Sequence, residues 1–146
     1  SALRFERRID GTLIQDWRGA EAMAERIAAS VSRAATPTVI APWRGDFHPD
    51  HMAASTIADM IERRCPRARG LRYLVWTRQQ PRDHQVRIDP GRMWRFPIQQ
   101  WRARKAAAIR AYRSQTTRLI DDAKLETAPR LAPFLGFYEP YLASDA

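Results

Sequence analysis

The run from Thr38 to Trp43 most constrains the fold of this chain, because it is β-branched and apolar with no polar alternation. A strand buried on both faces of a parallel sheet has this composition, since neither of its faces meets water. The segment after it predicts a helix that begins at His51, with Asp50 as its N-cap, and stops near Cys65-Pro66. Leu71 to Thr77 is typical of a further strand. Strand, loop, helix and strand form a βαβ unit, and in such sheets ligands gather outside the carboxyl ends of the strands.

The remaining segments predict further helices and short extended pieces. From Gly19 to about Ala34 the apolar residues recur at the spacing of an amphipathic helix. Leu3 to Trp17 is expected to be an extended segment with a turn, and Gln79 to Pro97 to form loops with one or two short edge strands. We also expect a helix from about Ile98 to Arg113 and a short closing helix from Leu131 to Leu142. The pattern as a whole predicts an α/β fold.

Length, charge and cysteine content bound the class of protein. The 146 residues suit a single domain spanning 1–146, and no apolar run approaches the roughly 20 residues of a membrane-spanning helix. The lone Cys65 excludes an internal disulfide framework, and the first residues lack the apolar centre of a secretion signal, so we expect a cytoplasmic setting. The net charge of +9 comes mostly from arginine, but the arginines are spread along the chain rather than gathered in one block. We therefore expect neither a membrane nor a nucleic acid as partner.

Two imidazoles and two carboxylates lie within six residues directly after the predicted strand, at Asp46, His48, Asp50 and His51. A histidine in the first turn of a helix can serve as a metal ligand, a second can donate to a substrate oxygen, and a carboxylate can fix the tautomer of an imidazole. Arg44 and Asp46 lie in the same loop and are candidates to bind substrate. The alternative interpretation is a solvated loop, with His48 and His51 on the surface and Asp50 a plain helix cap.

The chain resembles the LmbE/PIG-L family of zinc-dependent N-acetylglucosaminyl deacetylases. The residues that carry the resemblance are Trp43-Arg44-Gly45-Asp46-Phe47-His48-Pro49-Asp50-His51-Met52-Ala53-Ala54, which match the family's His-Pro-Asp-His signature followed by small residues. Ile9 to Leu13, Tyr73 to Trp76, Lys105 to Ile109 and Arg113 to Gln115 are similar to further segments of the family. The resemblance covers essentially the whole chain.

The resemblance implies a fold, a chemistry and a role for each site residue. The fold is a Rossmann-like three-layer α/β/α arrangement with a mostly parallel sheet. His51 corresponds to a zinc ligand, His48 to the histidine that stabilises the oxyanion of the tetrahedral intermediate, and Asp50 to the carboxylate that orients an active-site histidine. The implied reaction is zinc-assisted (Zn²⁺) hydrolysis of the amide of an N-acetylated amino sugar or glycoconjugate.

The chain departs from the family pattern near its amino terminus. The family's other two zinc ligands and its general-base aspartate lie in a His-Pro-Asp-Asp run, which this chain does not contain. His84 is the one remaining histidine and is expected at the surface. We therefore expect the amino-terminal βα units to be missing, and a homo-oligomer or the missing amino-terminal half to cover the strand edges left open.

Three functions remain in competition on the sequence alone. The first is a zinc-dependent deacetylase of which this chain supplies only part of the site. The second is a catalytically inactive binding or structural module of the same fold, which would hydrolyse no amide even with an upstream half supplied. The third is a basic nucleic-acid binder, whose affinity would fall steeply with salt.

Overall fold

A computed structural model of the protein describes residues 15–46, 48–75, 88–112 and 132–144. Its helices and strands are α1 (Trp17–Val31), β1 (Thr38–Pro42), α2 (Pro49–Arg64), β2 (Arg69–Tyr73), β3 (Met93–Pro97), α3 (Arg102–Ala111) and β4 (Tyr138–Ala143). Short 3₁₀ turns occupy Pro90–Arg92, Gln99–Trp101 and Ala132–Leu135. Most of the expected extended segment from Leu3 to Trp17 lies outside the described residues. So do His84 and the first part of the expected loops from Gln79 to Pro97.

The four strands form one mixed sheet in the order β1-β2-β4-β3. β1 runs parallel to β2, with Val39 opposite Gly70, whereas β2 pairs antiparallel with β4. The expected α/β class is confirmed, together with the βα loop that precedes α2. β1 lies at an edge of this sheet, and Ile40 is 55% exposed. The prediction that β1 is buried on both faces is therefore wrong for this chain, because only the face of Val39 and Ala41 is covered.

Small side chains let α1 pack closely against α2, which in turn packs on β1. Asp16 caps α1 by accepting a hydrogen bond from the backbone N–H of Gly19 at 2.9 Å. The buried positions of α1 then recur at helical spacing, so one apolar stripe faces the core. The core consists of Ala20, Met23, Ala24, Ala28, Val39, Ala41, Ile57, Ala58, Met60 and Ile61. The predicted helix from Gly19 is confirmed and begins two residues earlier, at Trp17.

α2 begins earlier than the sequence suggested. His48 is its N-cap, Pro49 occupies the first helical position, and Asp50 already lies within the first turn. The prediction that Asp50 caps a helix starting at His51 is therefore wrong. The physical reason is that the imidazole Nδ1 of His48 accepts a hydrogen bond from a first-turn N–H, which is the task of a capping side chain.

Residues 132–144 do not form the predicted closing helix. Ala132–Leu135 is a single 3₁₀ turn, and Tyr138–Ala143 is the strand β4, whose residues Tyr141, Leu142 and Ala143 pair with β2. Pro140 precedes these three residues, so the amide that it lacks is not needed for that pairing. Tyr138 and Tyr141 therefore belong to a strand.

Contacts divide the chain into two compact units, Ser1–Trp94 with Tyr141–Ala146, and Arg95–Pro140. The second unit contains α3, the predicted third helix, preceded by the 3₁₀ turn rather than helical from Ile98. No residue of α3 is buried. Its arginines instead lie over exposed rings, with Arg102 over Phe137 and Arg104 over Trp101. No helix among the described residues has both the length and the apolar composition needed to cross a membrane.

Candidate functional site

The loop between β1 and α2 begins at the carboxyl end of β1 and is held by backbone hydrogen bonds. The N–H of Trp43 donates to the carbonyl of Tyr73 at 2.9 Å, and the N–H of Asp46 donates to the carbonyl of Trp43 at 3.1 Å. Gly45 lies against the indole of Trp43, where any added side chain would collide with the ring. The turn therefore needs glycine here, and it delivers Asp46 to a fully buried position.

The ring of His48 is fixed by its capping role. Its Nδ1 accepts a hydrogen bond from the backbone N–H of Asp50 at 3.2 Å. An imidazole nitrogen that accepts a hydrogen bond carries no proton, so the neutral ring carries its proton on Nε2. His48 is therefore prepared to act as a hydrogen-bond donor through Nε2.

His51 is oriented by the buried carboxylate of Asp46. The Nδ1 of His51 lies 3.2 Å from Oδ2 of Asp46, whose side chain is fully buried, while the imidazole is 23% exposed. The two groups are at ion-pair distance without the alignment of a full hydrogen bond. A carboxylate at this position favours a proton on Nδ1 and leaves the lone pair of Nε2 available to a metal ion or an acid.

The two imidazoles lie against each other. Their ring centroids are 4.7 Å apart and their planes are inclined by 34°. The N–H of His51 also donates to the carbonyl of His48 at 3.0 Å, which ties the two residues into the first turn of α2. One ring thus has its Nε2 assigned as an N–H donor and its neighbour has its Nε2 assigned as a lone pair.

Asp46 of the loop and Asp50 of α2 meet the two histidines through different groups. The carboxylate against an imidazole is that of Asp46, for which the sequence predicted substrate contact. Asp50, predicted to orient a histidine, meets His48 through its backbone N–H. The burial of Asp46 is the signal that distinguishes the two, since it is 1% exposed, but burial of a loop aspartate is not readable from the sequence alone.

Arg44, the other predicted substrate-binding residue, is tied to a charged cluster that the sequence analysis missed. Its guanidinium forms an ion pair with Oδ2 of Asp59 on α2, and its side chain is 60% exposed. Oδ1 of Asp59 accepts from the buried Arg72 of β2 at 2.7 Å, and Arg72 also donates to Glu62 at 2.6 Å. Two acidic residues on the apolar face of α2, opposite an arginine within β2, are the sequence signal for this cluster.

An open cleft of about 380 Å³ lies along α2 beside this cluster. Its walls come from the loop after β1, from α2, from β2, from the residues before β3, and from the end of β4. The lining residues are Trp43, Arg44, Ser55, Asp59, Arg63, Arg72, Ile88, Asp89, Arg92, Leu142, Ala143 and Ser144.

The donors for a metal ion are incomplete within the described part of the chain. No group of three or more histidine, cysteine, aspartate or glutamate side chains converges there. A catalytic zinc ion usually has three protein ligands, and this loop offers His51 Nε2 as one of them. The described residues therefore do not form a complete zinc site.

Cys65 ends α2 away from the imidazoles. The thiol is free and its residue is buried. Hydrogen bonding to the side chain of Ser32 lowers the pKa of Cys65 from its usual 9.0, with Arg67 adding to the effect and burial opposing it. The thiol belongs to the packing between α2 and the end of α1.

Comparison with known proteins gives no relative of this chain. No protein-family model matches it, and neither a curated protein nor a solved structure matches it.

Proposed function

We propose that the chain supplies part of the site of a zinc-dependent deacetylase resembling the LmbE/PIG-L family, acting on the amide of an N-acetylated amino sugar or glycoconjugate. The observation that carries the proposal is the histidine pair after β1, whose ring centroids are 4.7 Å apart. In each ring Nδ1 contacts the protein, and Nε2 is the atom assigned to a ligand. Amide hydrolysis at a metal needs both a ligand lone pair and a donor to the developing oxyanion.

Each residue of the loop has a separate part in the proposal. His51 is a metal ligand through Nε2, and Asp46 orients its ring from Nδ1. His48 donates from Nε2 to the carbonyl oxygen as it gains negative charge. Bound zinc would polarise the amide carbonyl and lower the pKa of a water molecule. Arg44, which lines the cleft, is proposed to contact the substrate.

The remaining donors are proposed to come from a second polypeptide or a second copy of the chain. In this proposal the full fold is a three-layer α/β/α arrangement with a mostly parallel sheet, and the described residues form its carboxyl-terminal portion. The half-exposed Ile40 on the edge strand β1 supports this, because a helix layer packed on that face of the sheet would cover it. The proposed setting is cytoplasmic, where the free thiol of Cys65 would stay reduced.

Zinc titration of the wild type, His51→Ala, Asp46→Asn and His48→Ala tests the assignment. We expect His51→Ala to weaken zinc binding at least tenfold, and Asp46→Asn to weaken it by about 10- to 100-fold, because the carboxylate supports the ligand. His48→Ala is the matched control: the ring lies beside His51 but is assigned as a donor, so zinc affinity should stay within about threefold. Equal zinc affinity in the wild type and His51→Ala would contradict the proposed ligand.

A second candidate function is a binding or structural module that keeps the fold without the reaction. The incomplete set of metal donors in the described residues favours it. The two candidates separate in an acetate-release assay on an N-acetylglucosamine glycoside, with zinc and the amino-terminal half of a deacetylase added. Hydrolysis that His48→Ala abolishes supports the enzyme, whereas none in the reconstituted wild type supports the module.

A further inference from the structure

We infer that the unit Arg95–Pro140 carries a binding surface for single-stranded nucleic acid, formed by exposed aromatic rings and the arginines beside them. The inference concerns this unit by itself. It uses neither the histidines of the loop after β1 nor the residues that line the cleft, so it is independent of the proposed zinc chemistry.

Three large aromatic residues of the unit are exposed, and a guanidinium lies over each of their rings. The pairs are Arg95 over Tyr138 and Arg102 over Phe137, both at 4.7 Å from the ring centroid, and Arg104 over Trp101 at 5.2 Å. The three aromatic residues remain between 45% and 56% exposed although each already has its arginine. Surface is therefore left on the rings for a flat group to stack against.

The three pairs belong to one cluster of the unit. Phe137 and Tyr138 are consecutive, and so are Trp101 and Arg102. Arg102 joins the two segments, because its guanidinium lies over Phe137. The backbone N–H of Ile98 also donates to the carbonyl of Phe137 at 2.8 Å. A hydrogen bond between the two segments thus holds the rings near one another.

The charge of the unit is positive. Its described residues, 95–112 and 132–140, contain five basic side chains and one acidic side chain. The acid, Glu139, pairs with Lys105 at 2.8 Å. The other basic groups are exposed and have no carboxylate partner among those residues; they are Arg95, Arg102, Arg104 and Arg110. Three of these four guanidiniums are the groups that lie over the rings.

Charge and rings together select the class of partner. Guanidiniums pair with any polyanion, including an acidic peptide, but such a peptide offers few flat groups to stack on the rings. A single strand of nucleic acid offers phosphates to the guanidiniums and bases to the rings. In a duplex the bases already stack on one another. α3, which carries Arg104, buries no residue of its own, so its surface is open to a strand.

Fluorescence anisotropy of labelled oligothymidylate and oligouridylate, each about 12 nucleotides long, tests the inference on the intact chain. We expect saturable binding of at least one of them, at least fivefold tighter than binding of a duplex of the same length. The affinity should fall with salt at a logarithmic slope of about −2 to −3, because three or four phosphates are contacted. The tighter probe identifies DNA or RNA as the ligand.

The decisive variant removes rings and keeps every charge. Trp101→Leu combined with Phe137→Leu should weaken oligonucleotide binding at least tenfold, because base stacking on two rings is lost. The matched control is Trp17→Leu, which removes an exposed indole at the start of α1 in the other unit. Its affinity should stay within about twofold of the wild type.

Each result decides the inference. No saturable binding overturns it, as does equal weakening in the ring and control variants. Equal affinity for the duplex or for polyglutamate would also overturn it, because binding would then be an effect of net charge. A dimer that the ring variant dissociates, with no oligonucleotide bound, would assign the rings to a second copy of the chain.

Circular dichroism and the unfolding midpoint show whether the ring variant folds. If its midpoint falls, Arg104→Gln replaces it, since Arg104 is exposed, and must weaken oligonucleotide binding at least threefold. Zinc is omitted throughout and the histidines are unchanged, so failure of the proposed deacetylase leaves the outcome unaffected.

Discussion

The two ends of α2 hold charged and polar groups in different ways. Toward the carboxyl end, Asp59 and Glu62 meet Arg72 at 2.7 and 2.6 Å, and Arg44 takes the second oxygen of Asp59. At the amino end, His51 lies 3.2 Å from the buried carboxylate of Asp46, and His48 accepts a hydrogen bond of 3.2 Å from the backbone N–H of Asp50. The first arrangement is closed by its own charges, whereas the second leaves one nitrogen of each ring for a ligand.

This difference separates a structural charge cluster from a candidate reactive site. A buried ion pair is expensive to break, because removing one partner strands the other in a medium of low polarity. Groups that act on a ligand must keep an atom free of protein contacts. They therefore contribute less to the stability of the fold. The comparison therefore predicts large stability losses at the carboxyl end of α2 and small ones at its amino end.

The largest effect is expected for Arg72→Ala. The substitution leaves Asp59 and Glu62 buried without their shared guanidinium, so the free energy of unfolding should fall by about 3–5 kcal/mol. Urea unfolding followed by circular dichroism measures this. The control is Arg69→Ala on the same strand, where the guanidinium is exposed over the ring of Trp94 and the loss should stay below about 1 kcal/mol. Similar losses in both variants would remove the proposed structural role of the cluster.

A smaller effect is expected for His48→Ala at the other end of the helix. The N–H of Asp50 loses its side-chain acceptor, and loss of an N-cap costs about 0.5–2 kcal/mol. Met52→Ala, at an exposed position of the same turn, should change stability by less than about 0.5 kcal/mol. If His48→Ala destabilises as strongly as Arg72→Ala, the contrast between the two ends of α2 does not hold.

The smallest effect concerns pH and Cys65. The pKa of its thiol is lower in the folded protein than the usual 9.0, so between the two values the unfolded chain binds more protons. Stability from this group is therefore fully present above about pH 9 and is lost as the pH falls through the folded pKa. The wild type should gain stability relative to Cys65→Ser as the pH rises from 7 to 9. A constant difference between them over that range would exclude an ionising thiol.

The local sequence pattern was sufficient to predict the helices that bury one face. α1 and α2 were predicted within a few residues, because their buried positions recur at helical spacing. β1 and β2 were recognised from their apolar runs, although β2 occupies Arg69–Tyr73 rather than starting at Leu71. The sequence did not reveal β4, because its strand structure depends on pairing with β2, about 70 residues away along the chain.

Long-range contacts likewise explain what was missed at the site. The loop and its histidines were predicted from residue types and from position after a strand. The partners were not, because Asp46 becomes the neighbour of His51 only after Gly45 turns the chain against Trp43. The sequence predicted Arg72 to lie in a strand but did not predict its partners. Its guanidinium is buried beneath the carboxylates of Asp59 and Glu62 on α2.

Gly70 on β2 lies directly beneath the carboxylate of Glu62 and beside the hydroxyl of Ser144, where a methyl group would collide with both. The absent side chain at position 70 is therefore the space that the acid at position 62 occupies. A side chain at position 70 would therefore displace the carboxylate of Glu62 from its place beside Arg72. Glycine occupies this strand position because the neighbouring side chains leave no room for a larger residue, and not because the backbone bends there.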